Sequence, residues 1–346
     1  MKQTISLART ALHAGTAMAF LGMAAGSAAY AQDVTLKLGS VLPAGHYIHQ
    51  HLVDVFMADV EQRTNGAIKF ESYPAAQLGK DVPATMGSGL LDLGVVITGH
   101  YAAKFPLSSV GELPEGAGSA CQGSAKMWAL TQPGGILDQA EFAPKGLRVL
   151  NANMLAPYVL FTGSRKVEKL DDVRGLKIWS SGPAAEKAIA EMGGVPIKVS
   201  STELYDSATR GTVDGAVFPY SGLVQYELEP VLKYAVDGVN FGSGVFFITV
   251  NQRSWDRLTE EQRAVMSEAA LAAQQSFCAY IDENNSELRD QVAARDGYTV
   301  TTLEGPAQEE FVERLKQGAV HWAEVMDKAG LPGSEVLRAH QEAAAD

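Results

Sequence analysis

Val34-Thr-Leu-Lys-Leu-Gly-Ser-Val-Leu42 decides the fold class: an apolar-rich run of this kind, ended by Pro43 and Gly45, reads as a buried strand. Working outward, Leu52, Val55, Phe56 and Val60 recur at the spacing of one helical face, closed by Asn65-Gly66. Ala67 to Tyr73 reads as a second strand stopped by Pro74. Residues 82 to 91 form a short helix ending near Gly89, and Leu93-Gly-Val-Val-Ile97 is a short buried strand. Strand, helix, strand, helix, strand is the order of an α/β layer with a parallel or mixed sheet.

The alternation then repeats. Leu147 to Asn151, Tyr158 to Thr162 and Leu176 to Trp179 are strand-like, and an alanine-rich helix from Ala184 to Met192 ends at Gly193-Gly194. Pro196 to Val199 is the next strand, and Ser201 or Thr202 caps a helix through Arg210. Val213 to Phe218 and Phe246 to Asn251 are further strands. Thr259-Glu-Glu-Gln262 opens, in capping-box form, a long helix to about Arg295. A helix from Pro306 to Ala329 and a shorter one finish the chain. No repeat or low-complexity linker is visible, so the two α/β units read as interleaved.

The first thirty-one residues read as an address instead of fold. Lys2 and Arg9 make a basic start, an apolar and small-residue run covers Ala14 to Ala25, and Ala29-Tyr30-Ala31 is an A-x-A cleavage site. The run is about a dozen residues, short of the ~20 that span a bilayer. A cleaved signal peptide over 1–31 is expected, with a soluble mature chain in a bacterial periplasm.

The 346 residues suffice for two ordinary domains, and 46% hydrophobic with 20% charged residues is a globular composition. Twenty-eight basic residues against 40 acidic ones give a charge of −12, which argues against nucleic acid or an anionic membrane surface as partner. Cys121 and Cys278 are too few for a zinc ribbon or a disulfide framework, and sequence leaves open whether they pair or stay as buried thiols. No GxSxG, GxGxxG, P-loop or HExxH is present. In His46-Tyr-Ile-His49-Gln-His51, a helix would put His46 and His49 on one face and His51 on the other, so no metal site is expected; a helix start with one histidine facing a cleft is. Nothing positive supports an enzyme.

Five short stretches carry a family resemblance. Tyr73-Pro-Ala-Ala-Gln-Leu-Gly-Lys-Asp81 with Gly89-Leu-Leu-Asp92 resembles the P-x-x-Q-L-G-x-D … G-x-x-D signature of TRAP transporter solute-binding proteins. Leu170-Asp-Asp-Val-Arg-Gly-Leu-Lys-Ile178 is similar to their L-x-D-L-K-G-L-K-I-R segment. Glu203-Leu-Tyr205 and Gly211-Thr-Val-Asp-Gly215 are similar to E-V-Y … G-x-V-D-G. The pieces occur in the family's order from about Val34 to Ala329. The resemblance implies a two-domain periplasmic-binding-protein-like α/β fold with a central cleft, crossing strands and a long hinge helix. Domain I would hold 32–156 plus about 245–284, and domain II 157–244 plus about 285–346. It implies capture of a small solute by domain closure, delivery to a small and a large membrane subunit, no cofactor and no chemistry, from a monomer or homodimer. An ABC-type binding protein is the alternative within binders, and a periplasmic enzyme the alternative outside them.

In the family an arginine ending K-I-R clamps the solute carboxylate, because its planar fork grips two oxygens. Here that position is Trp179, and the asparagine of D-G-x-x-N-P is Phe218. Arg165 is the nearest basic residue, but its family counterpart lies outside the pocket; Arg174 and Arg210 fall on turn and helix-end positions. A desolvated carboxylate without a cation is costly, so the expected solute is an amine, a quaternary ammonium compound, or an aromatic molecule. A carboxylate bound through another basic residue is the alternative. Trp179, Phe218, His46, Tyr47, Thr98, Tyr101, Asp81, Tyr158 and Tyr220 are the expected ligand-binding residues, Asp81 with the competing role of closing the Gln-Leu-Gly turn.

Overall fold

The computed structural model describes residues 33–114, 118–180, 183–199 and 203–343. The expected signal segment and the Ser201–Thr202 cap lie outside these residues. Among them, two sheets carry the fold. In chain order the strands are β1 (Val34–Gly39), β2 (Ile68–Tyr73), β3 (Leu93–Ile97), β4 (Leu147–Met154), β5 (Val159–Thr162), β6 (Lys177–Ser180), β7 (Val195–Ile197), β8 (Gly215–Phe218), β9 (Tyr234–Asp237), β10 (Val245–Asn251) and β11 (Thr299–Thr302). The first sheet runs β2-β1-β3-β10-β4 and the second β11-β9-β5-β8-β6-β7.

Between them lie α1 (Asp54–Arg63), α2 (Val82–Gly87), α3 (Ala120–Thr131), α4 (Pro183–Glu191), α5 (Leu204–Thr209), α6 (Tyr220–Gln225), α7 (Gln252–Asp256), α8 (Glu260–Ala293), α9 (Gly305–Lys328) and α10 (Gly333–Glu342). The capping box at Thr259 and Gln262 is present at the start of α8. Two expectations need correcting. Val55 is 39% exposed, because a wide helical turn at His49–Val53 precedes α1 and Val53 joins Leu52, Phe56 and Val60 in the core instead. The strands β9 and β11, unread in the sequence, complete the second sheet by pairing parallel to each other.

The central strands β3, β10, β5 and β8 are buried on both faces, which is why they read as continuous apolar runs. In β10, Phe246, Ile248 and Val250 pack with β1, α1 and α8, while Val245 and Phe247 pack on the opposite side. In the second sheet Leu160, Ile178, Val217 and Val236 face α4 and α9, and Phe161, Trp179, Ala216 and Phe218 face the other way. The 34-residue α8, about 50 Å long at ~1.5 Å per residue, packs Met266 to Ile281 on the first sheet and Leu288 and Val292 on the second. A disulfide joins Cys121 of α3 to Cys278 of α8, settling the cysteine question. Beside it the Asp282 carboxylate accepts from the Ala120 and Cys121 amides (2.6 and 3.1 Å) and so caps α3.

The chain crosses from the first sheet to the second at 155–158 and returns at 238–244. These crossings hydrogen-bond to each other: Leu155 N to Gly244 O (3.0 Å), Tyr158 N to Gly242 O (2.8 Å) and Phe241 N to Tyr158 O (3.1 Å). Gly242 has φ +125°, and a Cβ there would stand 2.8 Å from the Glu112 carbonyl oxygen. At Gly244 a Cβ would press on the Tyr158 hydroxyl. The crossing is therefore built around glycine, and it holds the 107–112 turn close.

Candidate functional site

A cavity of about 160 Å³ sits at the crossing. Its walls include Ile48 from before α1, His100 from the turn after β3, Glu112, Tyr158 and Ser243 from the two crossings, and Phe246 of β10. Ala185 of α4 adds a contact from the second sheet's side. No arginine or lysine is among its lining residues. Ser243 donates its hydroxyl to Leu155 O (2.8 Å), tying the crossings together again.

Glu112 is 7% exposed. Burial alone pushes its carboxyl up to about 8, with no nearby cation or donor pulling it back. Glu141, by contrast, is also buried but accepts from Leu107 N (2.6 Å), Ser108 N (2.9 Å) and the Ser108 hydroxyl (2.6 Å), and so pins the start of the same 107–112 turn. Sequence reasoning missed Glu112. The available signal was an acid inside the otherwise uncharged Val110-Gly-Glu-Leu-Pro114.

The residues expected from sequence fall into three groups. Tyr158 lines the cavity, and Thr98, fully buried at the end of β3, leaves its hydroxyl without a hydrogen-bond partner. His46 stacks on Tyr47 (4.5 Å) and Tyr47 on Phe277 (6.4 Å). The Tyr47 hydroxyl is held above its ordinary range by burial first, then by Tyr158, Tyr226 and Tyr280, while burial lowers His46. These aromatics bring the first sheet's side against the crossing.

The second group is the aromatic cluster. Trp179 and Phe218 meet edge to face at 5.7 Å, and the indole Nε1–H donates to Val199 O (2.9 Å). Phe161 touches both Phe218 (5.3 Å) and Tyr220 (5.1 Å). Trp179 is 6% and Phe218 3% exposed. Tyr220 donates its hydroxyl to Asp237 Oδ1 (2.9 Å), whose other oxygen accepts from Arg289 Nε (2.5 Å). Tyr158, Tyr220, Asp237 and Arg289 line a second cavity of about 520 Å³ beyond the crossing. Arg289, another residue the sequence did not single out, is already paired with Asp237 and Asp290 there.

The third group anchors turns. Asp81 caps α2 by accepting from Ala84 N (3.1 Å) and pairs with Lys104 at the surface. Tyr101 donates to Lys80 O (2.9 Å) and accepts from Val82 N (3.4 Å). Arg165 donates to Asp172 O (3.1 Å) and Arg174 O (3.4 Å) on an exposed turn, and Arg174 and Arg210 pair with Asp171 and Asp206. Among the described residues no cluster of three or more His, Cys, Asp or Glu side chains could hold a metal. No described helix is long and apolar enough to cross a membrane.

The family model of the bacterial extracellular solute-binding proteins, family 7, matches residues 38–325. The chain belongs to this family. It is the TRAP-transporter solute-binding family that the motifs resemble. The C4-dicarboxylate-binding periplasmic protein DctP of Rhodobacter capsulatus is 28% identical over 306 residues, covering 83% of this chain and 84% of that one. A TRAP periplasmic solute-binding protein from Desulfovibrio salexigens superimposes with a TM-score of 0.79 at 23% identity, over 90% of this chain and 95% of that one. One from Bordetella bronchiseptica, with bound (R)- and (S)-mandelate, gives 0.75 at 22% identity, over 90% and 98%.

Proposed function

We propose that this TRAP-family binding protein captures one small solute in the cleft at the crossing, closes its two halves on it, and hands it to a small and a large membrane subunit. Residues 32–156 with about 245–284, and 157–244 with about 285–346, are the two moving domains. The 34-residue α8, which packs on both sheets, is the flexing element between them. The solute is a small amine or quaternary ammonium compound, or an aromatic or weakly polar molecule, and not a C4-dicarboxylate.

One observation carries the solute class: where relatives place a clamping arginine this chain has Trp179, and its indole is committed to Phe218 and Val199 O. Arg165, the nearest basic substitute in sequence, spends its guanidinium on backbone carbonyls. The mandelate of the Bordetella relative and the C4-dicarboxylates of the Rhodobacter one are acids, whereas Trp179 stands where the family resemblance implies the arginine clamp.

The test is a thermal-shift panel of acids, amines and neutral aromatics, followed by calorimetry and small-angle scattering on the hits. A non-acidic hit should shrink the radius of gyration on binding. Micromolar binding of succinate or malate would overturn the reading and point to Arg289, the cation lining the second cavity.

A further inference from the structure

Glu112 lies on the cavity wall, and its carboxyl makes no hydrogen bond or ion pair among the described residues. An unpaired buried acid is expensive to ionise, and proteins seldom leave a buried polar group unpartnered without a use for it. The neighbouring Glu141 marks the difference: it is equally buried, yet three donors hold it, and it serves the fold. Glu112 serves nothing visible in the fold. Tyr158 and Phe246 supply aromatic surface beside it, and Ile48, Ile97 and Leu155 supply apolar surface. The volume of about 160 Å³ is close to that of an engineered cavity of ~150 Å³ that takes a benzene-sized guest, so the occupant is compact.

We infer that Glu112 is the counter-charge for the solute, and that the cavity takes a compact organic cation whose ammonium centre rests against the Glu112 carboxylate and the aromatic walls. This rests on the binding-protein reading above and narrows its solute class to the cation. An ammonium in such a site gains an ion pair in a poorly solvated place as well as cation–π attraction. Both terms are absent for an acid, which would find a protonated carboxyl and no cation among the residues lining this cavity.

Proton release gives the inference its own signature. With the free carboxyl pushed up to about 8, Glu112 is largely protonated at neutral pH, and a bound cation must ionise it. Of the elements around the 107–112 turn, the turn after β3 contributes His100 to the cavity lining and the crossing contributes Tyr158. β10 brings no titratable side chain. α4 brings Ala185, its Lys187 lining a separate groove with Pro106 and Trp322, and His340 of α10 is absent from the cavity lining.

The experiment uses the whole mature chain and its Glu112→Gln variant. Calorimetry at neutral pH, in two buffers of different ionisation enthalpy, tests ethanolamine, choline, benzylamine and phenylethylamine, with benzyl alcohol and benzoate as uncharged and acidic counterparts. At least one ammonium probe should bind wild type with release of protons to the buffer, and Glu112→Gln should lose about 100-fold or more of that affinity while staying folded. Equal affinity in Glu112→Gln, binding without proton release, or failure of every ammonium probe at millimolar concentration would overturn the inference. If benzyl alcohol binds and no ammonium does, the Glu112 assignment fails while the non-acid reading survives. If benzoate or succinate binds tightly, that reading fails with it.

Discussion

Two buried regions of this molecule treat their polar atoms in opposite ways. Around Trp179, the indole N–H reaches Val199 O, the Tyr220 hydroxyl reaches Asp237, and the rings of Phe161, Trp179 and Phe218 interlock at 5.3 to 5.7 Å. Along 98–112, neither the Thr98 hydroxyl nor the Glu112 carboxyl has a hydrogen-bond partner among the described residues, although Glu141, which holds the start of the 107–112 turn, is fully served. Both stretches are almost equally hidden from solvent. A buried group whose bonding is complete explains the fold. One whose bonding is incomplete costs stability that something outside the chain must recover. The aromatic cluster therefore sets the shape of the second sheet's face, and the 98–112 wall is where an occupant would be felt.

The largest expected effect tests the first half of that contrast. Trp179→Ala removes a large side chain from a packed cluster and should cost about 3–5 kcal/mol of stability by urea denaturation. Trp179→Phe keeps most of the packing and loses the bond to Val199 O, for about 1 kcal/mol. A loss below ~1 kcal/mol for Trp179→Ala would mean that the indole is a free wall of the cleft and not a strut.

The middle-sized effect tests the second half, and its sign is opposite. The Glu112 carboxyl is raised from an ordinary 4.5 to about 8 in the folded chain, so the folded state holds its proton more tightly than the unfolded one. This stabilisation is whole below pH 4.5 and is lost as pH rises through about 8. Glu112→Gln has no such proton to lose. It should become more stable than wild type toward pH 8, by on the order of 1–3 kcal/mol, and the two should converge in acid. Thermal melts at several pH values without solute read this directly. Equal pH profiles would mean that water serves the carboxylate and that the wall is not incomplete.

The same contrast explains what the sequence could and could not reveal. β1, β3 and β10 were legible because strands covered on both faces need continuous apolar runs, and α8 was legible from its capping box and length. β9 and β11 were not. Tyr234-Ala-Val-Asp237 and Thr299-Val-Thr-Thr302 are four residues each, and their pairing is across 65 positions of chain, which no local pattern encodes. At the site, Trp179 and Phe218 stood out because they interrupt motifs. Glu112 sits in no motif. Its importance arises only when the crossing, α4 and the turn after β3 close around it. Asp81 shows the converse, a motif residue whose surroundings turn out to be local.

Asp81 gives the smallest expected effect. It was singled out as a carboxylate able to meet an amine, so it competes with Glu112 for that role. Its side chain is 49% exposed, accepts from Ala84 N at 3.1 Å, and pairs with Lys104, which lowers its carboxyl below the usual range. An exposed pair of this kind is worth ~0–1 kcal/mol. Asparagine caps a helix about as well as aspartate, so Asp81→Asn should keep the Ala84 bond, lose the Lys104 attraction, and cost less than about 1 kcal/mol. Asp81→Ala loses the cap too and should cost about 1 kcal/mol more. Because the cap belongs to α2 and not to the cavity, neither change should alter the affinity of an ammonium probe measured by calorimetry. A tenfold or greater loss of affinity in Asp81→Asn, about 1.4 kcal/mol, would move the cationic contact from Glu112 to the Gln-Leu-Gly turn and break the contrast at its informative end.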